Sequence, residues 1–118
     1  MILVSQDGLK AFNMAYIRSY FIYQSDKNGY ANFPDKIKND DKKEDYIIWA
    51  NPSRYYEEDS MYSIGKFKNL KDAQKVFMKL TSITNPSAEG CIIITEKDVD
   101  FFGKELPMWR DLNVDDKE

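Results

Sequence analysis

Carboxylates are the side chains best placed by type and spacing to do chemistry in this chain. Asp40, Asp41, Glu44 and Asp45 form one cluster and Glu57, Glu58 and Asp59 another, while Asp98 and Asp100 stand two apart, as residues on one strand face do. Such groups serve as hard ligands for magnesium or calcium, or as an acid and base when a pocket splits their pKa values. Neither cluster has the spaced loop and central glycine of an EF-hand, so no metal site is assigned. The chain has no histidine, which removes Ser-His and Cys-His activation and the commonest general base near neutral pH. Its single cysteine, Cys91, excludes an intramolecular disulfide and leaves no Cys/His set for zinc. Gly65 precedes a helix start, where free amides favour an anion, yet no further glycines follow to make a phosphate loop. It reads as a bulge or a point of close approach. The expectation is a protein with no catalytic residues and no cofactor, not an enzyme.

What remains is recognition. Arg54, Tyr55 and Tyr56 place a cation and two large rings on a connection, and Trp109 and Arg110 do the same in "LPMWR". Aromatic and arginine side chains are the usual anchors of protein interfaces. Arg18, Arg54 or Arg110 could equally hold a phosphate while a tyrosine stacks on a base, so a small-molecule partner, such as a nucleotide signal, is the second reading. The candidate binding residues are therefore Arg18, Arg54, Tyr55, Tyr56, Trp109 and Arg110. The formal charge is −3, from 17 bases interleaved with 20 acids, without the basic stripe that nucleic acid requires. Apolar runs reach only about five residues against the roughly 20 of a membrane span. The start lacks a basic region followed by a long apolar one, so the expected location is cytoplasmic.

These residues must be carried by one small domain, since the 118 residues suffice for a single core. "ILVSQDGLKAFNM" alternates around Asp7-Gly8, the signature of a hairpin with a type I′ turn pairing residues 2–6 with 9–14. Residues 16–23, "YIIWANP", "SMYSIGKF" and "CIIIT" read as further strands, the last burying Cys91 as a small hydrophobe. Asn69 is an N-cap, with Asp72 at N3 and Ala73, Val76, Phe77 and Leu80 at helical spacing, so a helix is predicted over residues 69–84, ended by Asn85-Pro86. Lys71, Lys75 and Lys79 form a row that repels itself and is expected to face water. Residues 35–45 hold charges with almost nothing to bury and read as a mobile loop. The predicted fold is α+β: a curved antiparallel sheet of five or six strands with one amphipathic helix on one face, spanning residues 1–103, and a tail over 104–118.

"MILVSQDG" and "YSIGKFKNLKDAQKVFMKL" resemble a group of short proteins from phages and mobile elements of low-GC Gram-positive bacteria. Those proteins open on an I-V-S-Q-D hairpin and later carry a G-x-[YF]-K-x-x-x-x-A strand and helix. The resemblance implies no catalytic residues. It implies a non-enzymatic interaction protein that binds and modulates a host protein, a host-defence inhibitor being the form expected. A sheet covered by a helix on one face leaves the other exposed, so a homodimer is expected as well, with "LPMWR" crossing to the partner.

Overall fold

The computed structural model describes residues 1–25, 31–32, 45–53, 61–87 and 89–103. The fold is α+β, with curved, unclosed sheets and one helix packed on them. Strands β1 (Ile2–Val4), β2 (Ala11–Asn13), β3 (Ser19–Ser25), β4 (Ala31–Asn32), β5 (Asp45–Asn51) and β6 (Tyr62–Phe67) precede helix α1 (Leu70–Thr81), and β7 (Gly90–Ile94) and β8 (Val99–Gly103) follow it. They form two four-stranded sheets, ordered β2-β1-β7-β8 and β4-β3-β5-β6. This differs from the single sheet predicted. One pairing, β1 with β7, is parallel, because the chain folds the whole second sheet and α1 before returning to lie beside its own beginning.

The division between sheets is local in origin. After β2 the Asn13 side chain accepts a hydrogen bond from the Ala15 N–H at 3.0 Å and caps a 3-10 turn over Met14–Tyr16. That turn swings the chain out of the first sheet, so β3 starts at Ser19 rather than at Tyr16. The first hairpin forms as predicted, with Leu3 opposite Phe12, but its turn is not type I′. Within it only Gly8 has positive φ, at 73°. Asp7 stays at negative φ because its carboxylate accepts from the Ser5 hydroxyl and the Leu9 N–H, and the wider loop closes through Ser5 N–H to Lys10 C=O at 2.9 Å.

In the second sheet β3 and β5 pair without interruption from Ser19 with Asn51 to Ser25 with Asp45. The β5–β6 ladder shifts after Ile48, which faces Gly65, so that Trp49 faces Ser63 and Ile64 is the extra residue of a bulge. A Cβ on Gly65 would lie 2.9 Å from a Phe67 ring carbon and 3.3 Å from the Ile94 side chain. Glycine is needed there for close approach.

Helix α1 begins as predicted, with Asn69 Oδ1 accepting from the Asp72 N–H at 2.8 Å. It ends a turn early because Thr81 and Ser82 hydroxyls donate to the carbonyls of Phe77, Met78 and Lys79, satisfying groups that another helical turn would have used. Ala73, Val76 and Leu80 enter one core with Tyr46, Ile48, Ile64 and Phe67 of the second sheet and Leu3, Ile92, Ile94 and Val99 of the first. Among the described residues no helix is long and apolar enough to cross a membrane. Residues 35–44 of the charged stretch and the 104–118 tail lie outside the described residues, and Asp45, read as the end of that loop, is the first residue of β5.

Candidate functional site

Strand alternation builds the most distinctive surface of the molecule. In β1, Leu3 points into the core while Ile2 and Val4 point away; in β7, Ile92 and Ile94 point inward while Cys91 and Ile93 point away. Register then aligns the outward residues across strands. Ile2 pairs with Cys91 and Cys91 with Phe102, and Val4 pairs with Ala11 and Ile93. The result is a continuous apolar face on the β2-β1-β7-β8 sheet, none of whose members belongs to the core. Ile2 is 41% and Phe102 55% exposed, far more than core side chains of their size tolerate. Its polar members are Asn13, opposite Ile2, and Asp100, opposite Ile93. Cys91 is half-buried on this outer face, which corrects the expectation that it is buried.

A polar seam joins the two sheets. The Gln6 N–H donates to Ile64 C=O at 2.9 Å, at the bulge, and the Gln6 side chain extends the pairing. Its Nε2 donates to the carbonyls of Lys66 and Thr95 and its Oε1 accepts from the Lys66 N–H, all at 2.9 Å. One amide thus ties β6 to the end of β7. The neighbouring groove, lined by Lys66, Lys68, Asn69, Asp72 and Lys97, has a volume of about 550 Å³. Gln6, which lines it, is engaged as described, and Asn69 with Asp72 in the helix cap. Gly65 shapes the core, its missing Cβ letting the Phe67 ring and Ile94 approach.

The lysine row is corrected at one member. Lys79 is only 2% exposed, its stem lying along the core and its Nζ 2.6 Å from Asp98 Oδ1. Lys75 Nζ approaches the other oxygen of Asp98 at 3.4 Å. Asp98 therefore sits between two ammonium groups, pinning the β7–β8 turn to α1. No rule of helix periodicity singles out Lys79; only the fold, which brings an acidic turn over it, does so.

Of the predicted binding residues, Arg18 is described. Its side chain is exposed and its N–H donates to Asn51 C=O at 2.8 Å. It borders a cavity of about 250 Å³ with Met14, Ile17, Tyr20, Leu80 and Ile83, where burial pushes the Tyr20 phenol well above its usual pKa and keeps it neutral. Arg54, Tyr55, Tyr56, Trp109 and Arg110 lie outside the described residues. Among the described residues no three acidic or cysteine side chains are grouped so as to hold a metal ion. Compared with known proteins, the chain matches no family model, no curated protein and no solved structure.

Proposed function

We propose that this chain is a non-enzymatic interaction protein that binds and modulates a host protein, with the outer face of the β2-β1-β7-β8 sheet as its contact surface. The observation that carries this reading is the aligned row Ile2, Cys91 and Phe102, backed by Val4 and Ile93, with two of its large side chains about half exposed. Contiguous apolar faces cost solubility and mark contact surfaces in soluble domains. The phage and mobile-element resemblance of the hairpin and of the strand leading into α1 supports a host protein as partner, a defence component of the cytoplasm being the natural target. Phe102→Asp places a charge on the face without touching the core. Capture from a lysate of a low-GC Gram-positive bacterium should be lost in this variant while its melting temperature is kept. Equal capture by both proteins contradicts the reading.

A second reading, a binder of a nucleotide signal, rests on Arg18 beside the cavity that ends at Ile83 and Pro86. At about 250 Å³ that cavity is smaller than the roughly 300–1,000 Å³ of ordinary ligand sites, which makes it the weaker one. Calorimetric titration with cyclic and linear dinucleotides separates the two: heat that vanishes in Arg18→Ala favours the nucleotide.

A further inference from the structure

We infer that the occupant of this face is an amphipathic helix of the partner, with a basic residue beside its apolar stripe. The inference rests on the reading of the face as a protein-contact surface and deepens it. Size comes first. With strands about 4.8 Å apart and residues about 3.3 Å apart, four strands, each with two outward positions spanning three residues, cover roughly 19 by 10 Å. That is the footprint of a single helix of about three turns, roughly 16 Å long and 10 Å wide. A stable pairing of two copies buries about 800 Å² on each, several times that planar footprint.

Charge points the same way. The outward positions carry one formal charge, Asp100, opposite Ile93, and no lysine or arginine among Ile2, Val4, Ala11, Asn13, Cys91, Ile93 and Phe102. A second copy stacked on this face would bring no cation among its outward residues to meet Asp100. A helix bearing a lysine or arginine at the edge of its apolar stripe meets Asp100 instead. The molecule already contains the same kind of contact. The 12-residue α1 lies across the core side of β3, β5 and β6, so a second helix on the outer side of the other sheet repeats a packing this chain makes internally.

Cys91, the only cysteine, sits in the middle of the face and reports its occupancy through the rate of N-ethylmaleimide addition. The probes are an 18-residue leucine/lysine amphipathic peptide and its leucine/glutamate twin. At a peptide concentration ten times Kd the leucine/lysine peptide should slow the reaction about tenfold, and the twin should leave it unchanged. Asp100→Lys should reverse that preference, and Phe102→Asp should remove protection by the leucine/lysine peptide. Protection that instead grows with the protein's own concentration, together with a doubled mass in light scattering, makes a second copy the occupant and overturns the helix while keeping the face. Absence of protection by either peptide also overturns the helix; if Phe102→Asp still loses host capture, the face stands with a different occupant. If Phe102→Asp keeps host capture, the reading of the face fails with it.

Discussion

The outer faces of the two sheets are built by the same strand alternation and meet opposite fates. On the β4-β3-β5-β6 sheet, Phe21, Tyr23 and Trp49 form a chain of tilted rings with centroids 6.2 Å apart at each step, and Tyr23 is only 4% exposed. The Trp49 indole N–H is buried there without a hydrogen-bond partner among the described residues. On the β2-β1-β7-β8 sheet, the outward Ile2 and Phe102 are about half exposed. Hydropathy does not distinguish these faces. One contributes to stability as core does, and the other stays open to solvent at Ile2 and Phe102.

Truncation at equivalent depths exposes the contrast most sharply. Tyr23→Ala should cost about 3 to 5 kcal/mol, the range for large buried rings, whereas Phe102→Ala should cost below about 1 kcal/mol. Urea unfolding of both variants measures this difference, and similar losses would erase the distinction between the faces. The next effect concerns the tie between α1 and the first sheet. Asp98→Ala removes the carboxylate 2.6 Å from the buried Lys79 ammonium and should cost about 2 to 3 kcal/mol, while Lys79→Met, which keeps the stem, should cost less than about 1 kcal/mol. A larger loss in Lys79→Met than in Asp98→Ala would mean that the ammonium, not its neutralisation, holds the turn.

Gly65→Ala comes third. Its methyl would crowd the Phe67 ring and Ile94 where the two sheets share the core, and a loss of about 1 to 3 kcal/mol is expected. An unchanged midpoint would mean that the seam yields easily. The smallest effect is a pH dependence at the hairpin. The Ser5 hydroxyl and the Leu9 N–H hold the Asp7 carboxyl below its ordinary value of 3.8. Stability from these bonds is therefore present above that value and is lost as pH falls through the lower, folded one. Asp7→Asn should flatten the acid limb of the stability curve slightly, and a steeper acid limb would reverse the assignment.

Much of the frame was legible in the residues. Asp7-Gly8 marked the first hairpin, Asn69 and Asp72 marked the helix start, and Gly65 marked the bulge, because each acts on the chain within a few residues of itself. The fate of the faces was not legible. "CIIIT" is apolar at successive positions, so nothing local says that Ile92 and Ile94 are inside while Cys91 and Ile93 are outside. Only pairing with β1, nearly the whole chain away, decides it. The parallel β1–β7 ladder, the Gln6 tie and the Lys79–Asp98 contact are likewise products of long-range register, invisible to windows of a dozen residues. Arg18 was singled out by residue type alone, whereas the apolar face needs the alignment of several strands before it exists.

Methyl NMR of the protein titrated with a host protein recovered in the capture experiment tests the outer-face reading. The account predicts that Ile2, Val4 and Ile93 methyls shift on addition while Ile22, Ile47 and Ile48 of the other sheet stay in place. Shifts confined to Ile47, or to Ile17 and Ile83 beside Arg18, with Ile2, Val4 and Ile93 unmoved, would contradict it.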